Sequence, residues 1–261
     1  MKIRNQIEYC VSGKYALFSD PITRMGGEKF TYLVPTYQAL KGITESIYWK
    51  PSIIWILDEV RIMNPIRTES KNIRPISYLA PKNTLSVYTY LTDVSYQVRA
   101  HFIFNENRRE ELGDDFNENK HHNVAKRMVE KGGRRDVFLG TRECQGYVEP
   151  CIFGEGTGYY DSRGELDFGV MFHGFDYPDE TGEEWMSARF WRPRMKDGVI
   201  RFSSPDEIGT EMRQKIRATK AKKFGRERNN FSGLQEEGLV EELLGKGGEA
   251  DVVDAEIVWG I

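Results

Sequence analysis

The chain has 261 residues, of which 39% are hydrophobic, and a net charge of −3, so it suits one large or two small globular domains with a sizeable core. Its three cysteines, Cys10, Cys144 and Cys151, are odd in number and lack metal-type spacing, which favours reduced thiols in a cytoplasmic protein. The longest apolar run, residues 53–57, is too short to span a bilayer, so we expect no membrane partner.

Charge is unevenly distributed along the chain. Residues 231–261 carry eight acids and one base, a net charge of −7, which leaves +4 on the other 230 residues. Residues 213–228 carry eight bases and one acid, a local charge of +7 that suits a polyanion such as nucleic acid. A solvated helix face followed by a disordered linker would have the same composition, and this alternative stays open.

The first third of the chain predicts a strand, a helix and a second strand. Apolar residues alternate over residues 3–11, which indicates a strand with one buried face. A helix with a regular apolar stripe begins at Pro35 and ends before Pro51, and it leaves Tyr48 at its end. Residues 52–63 then predict a buried strand.

The next part predicts an irregular segment and two more strands. Residues 66–83 contain four bases and two prolines, which indicates a basic excursion without regular structure. Two strands, at residues 85–91 and 95–104, are expected on either side of a turn at Thr92 and Asp93.

A short helix is predicted from about residue 119 to a Gly-Gly pair at 132–133, because apolar residues recur there at helical spacing. Lys120, His121 and His122 then lie at the helix N-terminus, where free N–H groups and the helix dipole favour a phosphate. Cleavage of RNA without a metal requires a base, a cation and an acid, and a Lys-His pair supplies two of these. Adjacent histidines near a helix cap are also common as solvated residues without a chemical role.

A strand at about residues 143–153 completes the order strand, helix, strand, strand, helix, strand. This order predicts an α+β protein whose N-terminal domain, residues 1–155, is ferredoxin-like, as in RNA-recognition modules. Residues 156–225 predict a smaller β-rich region with a basic helix from about residue 205 to 224. Residues 226–261 predict an acidic tail that is poorly suited to a core.

Several common kinds of catalytic site are not indicated by the sequence. No cluster of His, Cys, Asp and Glu has metal-ligand spacing, and no nucleophile elbow or dinucleotide fingerprint occurs. We therefore expect neither a metal nor a cofactor. His101 and His173 lie inside predicted strands, which favours structural roles for both.

Four ordered motifs resemble those of a known family. They are Ile-Tyr-Trp-Lys-Pro at 47–51, Lys-His-His at 120–122, Leu-Asp-Phe-Gly-Val-Met at 166–171 and Gly-Val-Ile-Arg-Phe at 198–202. Together they resemble the Cas-five family of CRISPR-associated proteins, subtype I-C or Dvulg, over about residues 5 to 205.

The resemblance implies a ferredoxin-like RNA-binding domain and an endoribonuclease that cuts precursor CRISPR RNA at the base of the repeat hairpin. In the family this cleavage needs no metal ion; we expect the 2′-hydroxyl to attack and leave a 2′,3′-cyclic phosphate. The protein then stays with the guide RNA as a subunit of the type I-C surveillance complex, Cascade. The expected partners are the repeat RNA, through its hairpin and 5′ handle, the other Cascade subunits and duplex target DNA.

The same resemblance assigns a catalytic trio to Tyr48, Lys120 and His121. His121 would act as general base or acid, Lys120 would stabilise the phosphorane, and Tyr48 would orient or deprotonate the 2′-hydroxyl. Whether His121 or Tyr48 takes the first proton stays open. The residues expected to bind RNA are histidine and basic side chains near these positions and in the basic run: His122, Lys126, Arg127, Arg134, Arg135, Arg213, Lys215, Arg217, Lys220, Lys222 and Lys223.

Two departures from the family and one alternative function accompany this assignment. Residues 34–39 read Val-Pro-Thr-Tyr-Gln-Ala where family members often have Val-Pro-Thr-Pro-Ser-Ala, and the acidic tail goes beyond the family pattern. The alternative is a non-catalytic CRISPR complex subunit that binds the 5′ handle of the guide RNA, duplex DNA or both.

Overall fold

A computed structural model of the chain describes residues 5–20, 28–75 and 85–221. Lys222, Lys223 and the predicted acidic tail lie outside these residues. The described residues up to Lys220 belong to one compact unit. No helix in the described ranges is long and apolar enough to cross a membrane.

Strands dominate the described secondary structure. The strands are β1 Gln6–Ala16, β2 Lys29–Phe30, β3 Ile53–Ile62, β4 Thr68–Ile73, β5 Ser86–Phe104, β6 Val137–Phe138, β7 Gln145–Pro150, β8 Glu165–Asp167, β9 Met171–Asp176, β10 Trp185–Trp191, β11 Arg194–Lys196, β12 Val199–Arg201 and β13 Arg213–Ala218. The helices are α1 Tyr37–Ile47, α2 Arg109–Leu112, α3 Glu118–Glu130 and α4 Pro178–Thr181.

Four central strands form the part of the large sheet that carries the two long helices. They lie in the order β7-β1-β5-β3, and each is antiparallel to its neighbour. Helix α1 connects β1 to β3 and α3 connects β5 to β7, so the order strand, helix, strand, strand, helix, strand is present, with the single strand β5 in place of the two strands expected at residues 85–91 and 95–104. The large antiparallel sheet with few helices confirms the predicted α+β class.

The core lies between one face of this sheet and the two helices. Alternation in β1 buries Ile7, Tyr9 and Val11, and α1 contributes an apolar stripe that includes Leu40 and Ile47. Full burial of one such aliphatic side chain contributes roughly 1.5–3 kcal/mol. Because α1 and α3 both pack here, the end of the first helix and the start of the second come close together.

The predicted turn at Thr92 and Asp93 is wrong, because β5 runs through it without interruption. Asp93 has a left-handed backbone (φ 49), yet pairing with β1 continues on both sides, through Thr92 with Tyr15 and Val94 with Gly13. The irregular excursion expected at residues 66–83 is also partly wrong. Its first part forms β4, which pairs with β5, and residues 76–84 lie outside the described range.

The large sheet does not end at the domain boundary predicted after residue 155. β12 pairs with β3, β11 with β12, and β8 with β11, so short strands from the later part extend the same sheet. A second sheet of three strands has the order β13-β10-β9. The part of the chain after residue 155 contributes the strands β8 to β13.

The basic helix expected from about residue 205 to 224 is not present in its described part. Residues 205–207 and 210–212 form short 3-10 turns, and β13 follows as an edge strand paired with β10. Helical spacing of Ile208, Met212 and Ile216 predicted the helix, but backbone pairing with a strand distant in sequence stabilises the extended form instead.

Candidate active site

Tyr48 is held at the C-terminal end of α1. Its backbone N–H donates to the Thr44 carbonyl at 3.0 Å, and its own carbonyl accepts a hydrogen bond from Trp55 Nε1 at 2.7 Å. Trp55 is fully buried in β3. The end of α1 and the buried Trp55 therefore fix the position of the Tyr48 backbone.

His121 lies in the first turn of α3, whose start is capped by Asn117. The Asn117 side chain accepts a hydrogen bond from the Lys120 backbone N–H at 3.0 Å. This places His121 on the inner face of the helix, where its Nδ1 lies 2.8 Å from the Tyr48 hydroxyl oxygen. The fold thus joins two predicted site residues that are 73 positions apart in the chain.

The partners of the His121 ring determine its tautomer. Nε2 lies 2.7 Å from the backbone carbonyl oxygen of Asp115, and a carbonyl only accepts, so Nε2 carries a proton. In the neutral ring Nδ1 is then the acceptor, and the Tyr48 hydroxyl donates to it. The Tyr48 proton therefore points at a basic nitrogen.

Lys120 is paired with Asp115, a residue that the sequence did not single out. Its Nζ contacts Asp115 Oδ1, and Ser52 Oγ donates to Asp115 Oδ2 at 2.7 Å. Burial alone would raise the pKa of Asp115, but the hydrogen bonds from Lys120 and Ser52 and the neighbouring charges outweigh it and lower that pKa. Asp115 is consequently an anion near neutral pH. It forms an ion pair with Lys120, the cation that was predicted to bind a phosphate.

The Tyr48 phenol is not an anion near neutral pH. Burial raises its pKa, the negative charge of Asp115 raises it further, and the positive charge of Arg134 opposes both. Tyr48 has 3% of its surface exposed and His121 has none. Both side chains of the hydrogen-bonded pair are therefore buried.

The predicted RNA-binding residues near the site differ in their surroundings. The ring of His122 is partly buried, and its Nε2 lies 3.0 Å from the Gln6 carbonyl oxygen. Lys126 and Arg127 are exposed on α3, and Arg134 and Arg135 are exposed in the segment that follows it. All four basic residues are therefore accessible from the solvent.

Of the remaining predicted RNA-binding residues, three lie on β13 of the second sheet and Lys220 follows that strand. Arg213 is not an exposed cation, because it donates to the Asp176 carboxylate at 3.0 Å and to the Ile208 carbonyl at 3.0 Å. Lys215 and Arg217 are exposed on β13, and Lys220 is exposed just after it. The structure thus separates the predicted basic residues into two surfaces.

The two histidines that we expected to be structural both have partners. His101 Nδ1 lies 2.8 Å from Asp58 Oδ1, and His173 stacks on Tyr37 with ring centroids 4.1 Å apart. Among the described residues, no group of three or more His, Cys, Asp or Glu side chains could hold a metal ion.

Three residues of the site were missed by sequence reasoning. Ser52 and Trp55 belong to the predicted buried strand and gave no separate signal. Asp115 lies beside Asp114 in an acidic stretch that indicates no particular site. Its position five residues before Lys120 was the one available signal for the ion pair.

Comparisons with known proteins place the chain among relatives. The family model of CRISPR-associated protein (Cas_Cas5) matches residues 7–203. The CRISPR pre-crRNA endoribonuclease Cas5d of Mannheimia succiniciproducens is 28% identical over 225 residues, which cover 75% of this chain and 94% of that protein. The protein of the same name from Thermus thermophilus is 28% identical over 193 residues, covering 70% of this chain and 78% of that protein.

A solved crystal structure of a CRISPR-associated protein is also similar. It is 38% identical, with a TM-score of 0.66, and the match covers 78% of this chain and 94% of that one. The family model alone covers more than half of the chain, from the first strand to the end of the large sheet. The chain therefore belongs to the Cas-five family of CRISPR-associated proteins.

Proposed function

We propose that this protein is an endoribonuclease that cleaves precursor CRISPR RNA at the repeat hairpin. The observation that carries the proposal is the Tyr48–His121 hydrogen bond of 2.8 Å beside Lys120, the three residues that the family motifs assign to catalysis. Two relatives that cover most of this chain are named CRISPR pre-crRNA endoribonucleases.

The hydrogen-bond directions support a proton path from the RNA through Tyr48 to His121. As the 2′-hydroxyl oxygen forms its bond to phosphorus, its proton passes to the Tyr48 oxygen, and the Tyr48 proton passes to His121 Nδ1. His121 is the group that holds the proton, because the raised pKa of Tyr48 disfavours a free phenolate. Asp115 stabilises the resulting imidazolium, with its Oδ2 at 3.5 Å from Nε2.

Lys120 supplies the positive charge for the phosphorane in this proposal. Its side chain is half exposed at the start of α3, where the backbone also favours an anion. In an in-line displacement the leaving 5′ oxygen lies opposite the attacking oxygen, so a second group must protonate it. Lys120 donates a proton to the leaving 5′ oxygen as the bond from phosphorus to that oxygen breaks. A 2′,3′-cyclic phosphate remains on the other RNA fragment.

Metal independence is part of the proposal, because the base, the cation and the acid are all supplied by side chains. The test is a labelled repeat-hairpin RNA incubated with the protein in EDTA. We expect one cut, a product that alkaline phosphatase leaves intact until the cyclic phosphate is opened by acid, and no cut when the attacking 2′-hydroxyl is replaced by hydrogen. Cleavage that needs added Mg²⁺, or that survives the 2′-deoxy substitution, would overturn this mechanism.

One observation favours a second candidate function, that of a subunit that binds the guide RNA handle without cutting it. Lys120 is already neutralised by Asp115, and the His121 side chain has no exposed surface. Tight binding of the repeat RNA without any cleavage would support this alternative. In both cases we propose that the protein remains with the guide RNA in the type I-C surveillance complex, which pull-down of the other subunits with a tagged chain would test.

A further inference from the structure

Two open clefts flank the segment that follows α3. The first has a volume of about 290 Å³ and is lined by Glu45, Trp49, Arg134 and Arg135 among others. The second has a volume of about 430 Å³, shares both arginines and includes Tyr147. Since the two arginines line both clefts, the clefts are neighbours along one surface.

The arginine segment is held against the end of α1. The Arg134 N–H donates to the Ile47 carbonyl and the Arg135 N–H to the Ser46 carbonyl, both at 3.1 Å. Positive φ angles at Gly132 and Gly133 let the chain turn sharply to reach those carbonyls. The guanidinium groups themselves form no hydrogen bond or ion pair with any residue in the described ranges. The backbone of both arginines is therefore fixed, while their guanidinium groups remain unpaired within the described part of the chain.

An exposed aromatic ring lies on each side of these arginines. Trp49 is 39% exposed and lines the first cleft, and Tyr147 is 62% exposed and lines the second. Neither ring stacks on another aromatic ring of the described part of the chain. Two exposed ring faces beside unpaired guanidinium groups can accept a ligand that has both planar groups and negative charge.

We propose that the two clefts form one track for single-stranded RNA, in which Trp49 and Tyr147 each stack on a base and Arg134 and Arg135 hold the phosphates between them. This combination of aromatic platforms and a positive groove is how proteins bind single strands. A duplex does not fit it as well, because its bases already stack on one another. The inference deepens the proposed function, since Trp49 directly follows Tyr48 and the track would lead RNA to the candidate active site.

Glu45 gives the first cleft a pH-dependent charge. Burial raises its pKa to about 7, the charge of Lys41 opposes the rise, and Glu180 adds to it. Lys41 is itself paired with Glu180, its Nζ 2.6 Å from each carboxylate oxygen. The acid lining the cleft therefore loses its proton as the pH rises through about 7, and the new negative charge opposes that of the arginines.

The main test measures the affinity of full-length protein for a fluorescein-labelled, unstructured RNA of about ten nucleotides. We expect Trp49→Ala to weaken binding about tenfold, Trp49→Phe to retain most of it, and Tyr147→Ala to weaken it by a similar factor. Matched controls are Trp185→Ala and Tyr159→Ala, which remove rings of comparable exposure, 41% and 43%, elsewhere on the surface. Equal affinities for wild type, Trp49→Ala and Tyr147→Ala would overturn the track.

Two further measurements probe the track, and the first uses only wild-type protein, so it does not depend on the folding of a variant. Photocrosslinking of wild-type protein to 5-bromouridine RNA should give adducts at Trp49 and Tyr147, and adducts at Trp185 instead would place the RNA on the second sheet. Affinity should fall as the pH rises from about 6 to about 8, and Glu45→Gln should flatten this dependence.

These outcomes are separate from those of the proposed function. Wild-type protein that cuts the repeat hairpin while Trp49→Ala and Tyr147→Ala bind the short RNA normally would overturn the track and leave the nuclease intact. Wild-type protein that never cuts but crosslinks through both rings would support the track and overturn the nuclease.

Discussion

His121 and His173 occupy similar surroundings in two different parts of the molecule. Both side chains are fully buried, and in both the Nε2 donates to a backbone carbonyl, at 2.7 Å for His121 and 3.1 Å for His173. Each ring also lies beside a tyrosine, Tyr48 and Tyr37 respectively. Burial and aromatic contact therefore do not distinguish a catalytic candidate from a structural histidine.

The difference lies at Nδ1 and in the sign of the nearest charge. His173 Nδ1 accepts from the Arg189 guanidinium at 3.3 Å, whereas His121 Nδ1 accepts from a neutral phenol and has the Asp115 carboxylate nearby. Burial and then the Arg189 charge lower the pKa of His173 to about 3. A ring that is buried against a cation cannot take a second proton near neutral pH.

The cation beside His173 belongs to a cluster that joins structural elements. Arg189 on β10 contacts the buried Asp176 on β9, and Arg213 on β13 donates to the same carboxylate at 3.0 Å. The cluster links all three strands of the second sheet, so we assign His173 a structural role. The charge that faces a buried histidine, more than its burial, therefore distinguishes the proposed catalytic ring from the structural one.

The largest expected effect comes from exchanging the two histidines for glutamine in turn. We expect His121→Gln to lower the single-turnover cleavage rate of the repeat RNA by about 100- to 10,000-fold, because the proton acceptor is lost. RNA affinity should change little. His173→Gln should retain the wild-type rate per folded molecule. Comparable losses of rate in both variants would remove the functional distinction between the two rings.

Removal of the Tyr48 hydroxyl should have the next largest effect. Tyr48→Phe keeps the ring that packs at the end of α1 but breaks the proton path to His121, and we expect a rate loss of roughly 100-fold. The single-turnover rate in EDTA measures it. Tyr37→Phe is the matched control, because the Tyr37 hydroxyl accepts a hydrogen bond from the Leu57 N–H and the ring stacks on His173. A Tyr48→Phe rate equal to that of the control would mean that His121 takes the proton without the phenol.

The positions of Tyr48 and His121 at helix ends could be predicted, because strong local signals mark where the two helices end and begin. Asn117 caps α3 and the Pro51 region ends α1, so the placement followed from short-range chemistry. Asp115 could not be predicted, because its contacts depend on how the acidic segment after β5 returns to α3. No periodic pattern in the sequence encodes that path.

The strand β13 shows the same limit for the fold. The spacing of its apolar residues favoured a helix, and nothing local signalled its pairing with β10. The strands β8, β11 and β12 extend the large sheet through pairing between distant segments. The composition of the chain does not reveal such pairing. Local patterns therefore predicted the central elements well and the edges of both sheets poorly.

The depressed pKa of His173 should make stability depend on pH. The unfolded chain binds a proton below about pH 6.5 that the folded chain binds only below about pH 3, so this residue lowers the stability as the pH falls between these values. The slope for one proton approaches about 1.4 kcal/mol per pH unit. Urea unfolding at several pH values should show this component in wild type and its loss in His173→Gln. Equal slopes would mean that His173 is protonated in the folded protein.

The smallest predicted effect tests the ion pair that occupies Lys120. Asp115→Asn removes the negative charge but keeps the backbone carbonyl that fixes the His121 tautomer, so Lys120 becomes available to a phosphate. We expect RNA affinity to rise roughly threefold to tenfold, with a steeper salt dependence because about one more phosphate contact forms. Acidification to pH 5 should not mimic the change, since the pKa of Asp115 lies below its usual value. Asp114→Asn removes the same charge from the exposed neighbouring residue, and an equal gain in that variant would attribute the effect to general electrostatics rather than to the release of Lys120.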